Sequence, residues 1–77
     1  MLERSDKMNN PLYPEIVNQM NKHNERLKDL RDLLGLADIS QVSRRISGYL
    51  QWSIGDIEIL CKHYNMDFWK LFKRKEK

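Results

Sequence analysis

Apolar residues recur at helical spacing in five short stretches, and capping or helix-stopping residues separate them. In the first, Pro14 and Glu15 suit an opening turn, and Ile16, Val17 and Met20 share a face. In the second, Asn24 is a good cap and Leu27, Leu30, Leu33 and Leu34 form a stripe. Glu25, Arg26, Lys28, Asp29, Arg31 and Asp32 line its other side as a solvated face, and Gly35 ends it. The third runs from Asp38 to Gly48. In the fourth, Ser53 caps with Asp56 at the third position, Ile54, Ile57, Leu60, Cys61 and Tyr64 fall together, and Asn65 is a stop. In the fifth, Asp67 caps a short helix whose Phe68, Leu71 and Phe72 point one way. No stretch alternates as a strand would. The pattern predicts an all-α protein, a compact five-helix bundle around about twenty apolar side chains. Residues 1–10 are polar and aperiodic and read as a disordered extension. Residues 11–73 form the domain, and 74–77 a basic tail.

The third stretch carries the most information. On a wheel of about 100° per residue with Val42 at zero, Ile39 falls about 60° and Ile46 about 40° away. These three make a narrow ridge for the core. Ser40, Arg44 and Ser47 lie opposite, with Gln41 and Arg45 on their flanks. Asp38 is placed to accept from first-turn amides, Gln41 follows at capping-box spacing, and Gly48 suits the left-handed residue that ends a helix. Short hydrogen-bonding and cationic side chains on one face suit insertion into a DNA major groove, where base edges offer donors and acceptors. An ordinary surface helix with a solvated polar face shows the same wheel, so context has to separate the two.

Charge supplies some of that context. Net charge is only +3. Residues 1–38 carry six Lys/Arg and seven Asp/Glu, whereas residues 39–77 carry eight and four. The basic half holds the third helix and the tail, an asymmetry that favours a polyanionic partner.

Other chemistry finds little support. His23 and His63 are far apart in sequence and no Cys/His cluster has metal-ligand spacing, so no metal and no cofactor are expected. Cys61 is alone and reads as a core thiol. Asp56 and Glu58 face different ways on a helix and make a poor acid/base pair, and no phosphate loop or nucleophile motif is present. Catalysis is not expected. Neither a membrane span nor a signal-peptide core is visible, and a bacterial or viral protein acting in the cytoplasm fits best.

Three motifs in order match a known family. Val42-Ser43-Arg44-Arg45-Ile46-Ser47-Gly48 resembles the recognition helix of Cro/CI-type helix-turn-helix domains of temperate-phage repressors. Trp52 to Cys61 is similar to the helix that follows it, and Asn65 to Phe72 to the family's closing turn and helix. The resemblance spans about Asn24 to Phe72, with a turn one residue longer than usual between the second and third helices. It implies a lambda-repressor-like fold and a phage-type transcriptional regulator of a lysis/lysogeny-like switch, a homodimer on a double-stranded DNA operator. On that reading Arg44 contacts a guanine, Gln41 an adenine, Ser40 and Ser47 a phosphate or base edge, and Arg45 a phosphate. Tyr49 and Gln51 contact the DNA backbone, and dimerisation uses the last helix and tail, which an exposed Trp69 or Phe72 would support. The alternative is an antirepressor that docks on a partner repressor protein and blocks its DNA binding, with an antitoxin-like regulator third.

Overall fold

The computed structural model describes residues 11–75. The expected disordered extension at 1–10 lies outside the described residues. Within them are five helices and no strand: α1 (Pro14–Lys22), α2 (Leu27–Leu34), α3 (Ile39–Ser47), α4 (Ile54–Tyr64) and α5 (Phe68–Leu71). None is long and apolar enough to cross a membrane.

Helix starts and stops follow local chemistry. Pro14 opens α1 with its φ already helical. Ser53 and Asp56 cap α4 reciprocally: Ser53 Oγ accepts from the Asp56 N–H at 3.0 Å, and Asp56 Oδ2 accepts from the Ser53 N–H at 3.3 Å. Helices α2, α3 and α4 all end on a left-handed residue, Gly35, Gly48 and Asn65, with φ of 71°, 96° and 55°. In each the next residue donates back to the helix: Leu36 to Arg31 O, Tyr49 to Arg44 O, and Met66 to Cys61 O. This bonding satisfies carbonyls that a helix end leaves open and turns the chain sharply.

One expected cap moves. Asn24 does not start α2. It takes a φ of 61° in the turn just past α1, whose C-cap is His23, and an amide side chain tolerates the left-handed region. The cap of α2 is Arg26, whose N–H donates to Asp29 Oδ2 at 2.8 Å. Two residues before the helix, Glu25 is freed from the solvated face expected of it. Its carboxylate turns inward and accepts from Tyr64 Oη at 2.6 Å, with His63 Nε2 also 2.6 Å away.

The core gathers Ile16, Met20, Leu30, Val42, Ile46, Leu60, Tyr64, Leu71 and Phe72. Tyr13, Trp52 and Phe72 close one end with edge-to-face contacts at centroid distances of 5.4–6.1 Å. Two residues assigned to the core by periodicity are exposed: Ile39 in the first turn of α3, and Ile54 in the first turn of α4, the latter 76% accessible. Both precede the point where their helix meets the bundle. Phe68 also stands partly in solvent, whereas Leu71 and Phe72 are buried as expected.

The segment before α1 straps the end of α3. The N–H groups of Leu12 and Tyr13 both donate to Ile46 O, at 2.8 and 3.3 Å, and the Lys75 N–H donates to Leu12 O at 2.8 Å. The start of the basic tail is therefore held against the body of the domain.

Candidate functional site

Helix α3 is fixed from one side. Val42 and Ile46 are fully buried, and α2 packs along it across the four-residue connection Gly35-Leu36-Ala37-Asp38. Asp38 Oδ1 accepts the Ser40 N–H at 3.4 Å, so the cap forms. The reciprocal bond from the Gln41 side chain does not. Gln41 instead uses its backbone N–H on Asp38 O at 3.1 Å, and its amide stays available.

The candidate residues divide by environment. Ser40 and Arg44 are exposed on α3, and Gln41 and Ser47 are half-buried beside them. Tyr49 and Gln51 are exposed just beyond the helix. The backbone N–H groups of Tyr49 and Leu50 both donate to Arg44 O, which brings this exit tightly against the last turn. Among the described residues the Arg44 guanidinium makes no hydrogen bond or ion pair.

Arg45 stands apart. It was expected to flank the polar face and reach a phosphate. Its Nη1 donates back to Gln41 O at 3.1 Å, and its Nε lies 3.3 Å from Asp56 Oδ2 on α4. The latter is an ion pair whose angle falls short of a hydrogen bond. Both side chains are largely buried, at 17% and 10% exposure. A step of about 100° round the helix separates neighbours, so one arginine points to solvent while the next bridges to α4. Asp56 thus does two things: it completes the α4 cap and anchors α3.

A cluster with no signature in the sequence sits elsewhere. Glu25, His63, Tyr64 and His23 come together from the α1–α2 loop, α4 and the end of α1. His23 lies 6.5 Å from His63 and 5.3 Å from Tyr64, between ring centroids, and its Nδ1 meets Gln19 O at 2.9 Å. Burial, and then the bond to Glu25, hold the Tyr64 phenol well above its ordinary pKa. The group has the character of a polar pin between loop and helix. Among the described residues no three His, Cys, Asp or Glu side chains converge as metal ligands. Burial raises the Cys61 thiol, with Asp67 adding to the shift. A raised thiol is a poor nucleophile at neutral pH.

No family model, curated protein or solved structure matches the chain.

Proposed function

We propose that the chain is a DNA-binding transcriptional regulator of the phage-switch type, a helix-turn-helix protein that reads duplex DNA with α3. The observation that carries this reading is Arg44. It is exposed on a helix whose opposite side is locked into the core, with Ser40 beside it and no intramolecular partner for its guanidinium among the described residues. A guanidinium in that situation offers a planar fork to guanine O6 and N7. Gln41, with its amide uncommitted, and Tyr49 and Gln51 at the helix exit supply further polar groups along the same run of chain.

The test is titration of a labelled duplex from the region upstream of its own gene, followed by fluorescence anisotropy at two salt concentrations. Binding should fall steeply as salt rises, because each neutralised phosphate releases counterions. Arg44→Ala should cost about 1–3 kcal/mol and relax discrimination at one base pair. Binding that is absent, or indifferent to both salt and Arg44, would sink the proposal. The modest net charge of +3 favours antirepression as the second reading, in which Arg44 pairs with carboxylates of a partner repressor. Release of that repressor from its operator by a chain that does not itself bind DNA would select it.

A further inference from the structure

Three separated pieces of chain meet around a groove of about 390 Å³. Tyr13 comes from the strap before α1, Leu50, Gln51 and Trp52 from the connection between α3 and α4, and Phe72 and Arg74 from the end of α5 and the chain beyond it. Apart from Gly48, Gln51 and Arg74, every residue lining the groove is apolar or aromatic. Small-molecule sites have this make-up, and their volumes run from about 300 to 1,000 Å³. The rings are fixed against one another. Tyr13, Trp52 and Phe72 meet edge-to-face at centroid distances of 5.4–6.1 Å, and Phe68 stacks on Phe72 at 5.5 Å. A flat ring in the groove would find both edges and faces to pack against.

Charge narrows the class of occupant. Among the described residues Arg74 is the one charged side chain lining the groove, and its guanidinium makes no hydrogen bond or ion pair there. Its place is set by the neighbouring residue, whose N–H donates to Leu12 O at 2.8 Å. Arg74 also lines an adjoining groove of about 330 Å³, which it shares with Lys70 and Lys73. The acid on that side is Glu15, whose oxygens already accept from Asn18 Nδ2 at 3.2 Å and Gln19 Nε2 at 2.8 Å. The surroundings of Arg74 are therefore positive, and no carboxylate lines the apolar groove. Aromatic walls with one free guanidinium suit a ligand that has a flat apolar body and one anionic head. The planar fork of an arginine matches the two oxygens of a carboxylate.

We propose that this groove binds a small aromatic carboxylate, with the ring against Trp52 and Phe72 and the carboxylate on Arg74. Such a ligand touches the strap, the exit of α3 and the start of the tail at once. It ties together segments far apart in sequence, and so it stabilises the folded chain in proportion to its occupancy. The inference goes beyond the DNA-binding reading and does not depend on it.

Titration of the full ¹⁵N-labelled chain, without DNA, followed by proton–nitrogen correlation NMR tests it. The probes are indole-3-acetate, benzoate, and the uncharged indole-3-acetamide. Trp52 is the reporter: its Nε1 is buried and has no hydrogen-bond partner among the described residues, so its N–H signal is shielded from solvent and reads the ring current of a ligand against the indole. Trp69→Phe removes the other indole signal, from a residue that is 82% exposed. A saturable shift of the Trp52 signal with the carboxylates is expected, together with a rise in Tm. Arg74→Gln, or the change from indole-3-acetate to its amide, should raise the dissociation constant on the order of tenfold, the loss of one charge-assisted contact. Lys28→Gln, which removes a charge from the exposed side of α2, should leave it unchanged. Circular dichroism checks that both variants fold, which the exposure of Arg74 and Lys28 favours. No saturable shift with either carboxylate overturns the proposal. Equal affinity for acid and amide, or for wild type and Arg74→Gln, overturns it as well and leaves the groove to an uncharged occupant. Duplex plays no part in the readout, so failure here leaves the DNA reading standing, and failure of that reading leaves this one.

Discussion

Replacing Arg45 by alanine should destabilise the fold, whereas replacing its neighbour Arg44 should not. The Arg45 and Asp56 side chains are 17% and 10% exposed, with Nε and Oδ2 3.3 Å apart. At that separation two unit charges attract by about 5 kcal/mol at an effective dielectric near 20. Desolvating both groups cancels a large part of this. Removing the arginine, however, leaves the carboxylate in its desolvated place with, among the described residues, only the Ser53 N–H as donor, and it also removes the bond to Gln41 O. A net cost of about 2 kcal/mol follows, below the value for a fully buried pair because both groups keep some contact with water. Arg44 has no such tie, and its loss should stay within about 0.5 kcal/mol. Urea unfolding monitored by circular dichroism separates the two. With a slope near 1 kcal/mol per molar, as for other small domains, Arg45→Ala should lower the midpoint by about 2 M and Arg44→Ala by less than about 0.5 M. A double-mutant cycle with Asp56→Asn should return a coupling of about 1 kcal/mol or more. An unchanged midpoint for Arg45→Ala, or a coupling near zero, would refute the reasoning and return Arg45 to the outward face.

Gly48→Ala should destabilise more than Gly35→Ala. Both residues have positive φ, but a Cβ at Gly48 would sit 2.7 Å from Leu12 Cδ2, whereas at Gly35 nothing lies within 4 Å. Strain alone is worth about 1 kcal/mol. Equal falls in Tm would mean that the strap over α3 yields freely. Tyr64→Phe should cost about 1.5–2 kcal/mol at neutral pH, since it removes a donor from the Glu25 carboxylate. Because the folded phenol's pKa is raised above its ordinary 10.0, its contribution is present in full below that pH and fades as pH climbs beyond it. Unfolding curves between neutral and strongly alkaline pH should therefore converge for wild type and Tyr64→Phe. A gap that stays constant would contradict the assignment.

The helices were legible because their signals are local. Stops at Gly35, Gly48 and Asn65, the Ser53–Asp56 cap, and the stripes through Leu30, Val42–Ile46 and Leu60 each depend on residues within a turn or two of one another. What escaped the sequence depends on where those helices meet. Periodicity put Ile54 on the same stripe as Leu60 but carries no information on where α4 leaves the bundle. Glu25 looked like one more charge on a mixed face until α2 proved to start two residues later. Its partners His63 and Tyr64 lie 38 and 39 positions away. The outward residues Ser40 and Arg44 were legible for the same reason as the core: they lie opposite Val42 on the wheel. Arg45 was not, because its fate depends on an acid on another helix.

That last point bears on how charge should be counted in a candidate DNA-binding helix. The sequence places two adjacent arginines on α3, and a simple count credits both to the partner. The ion pair with Asp56 withdraws one of them. On the proposed reading the affinity of α3 for a polyanion then rests on Arg44, with further phosphate contacts drawn from the polar groups at the helix exit and the cations of the tail. Each phosphate contact contributes about 0.9 to the salt slope on duplex DNA. A phosphate engaged by Arg44 would register in that slope, and Arg45 would not. Asp56 is thus a stabilising residue with a second consequence. It ties the back of α3 to α4, and in doing so it leaves a single guanidinium on the outward face, where one planar fork can select one base pair. A second free arginine beside it would add attraction to any phosphate and dilute that selectivity.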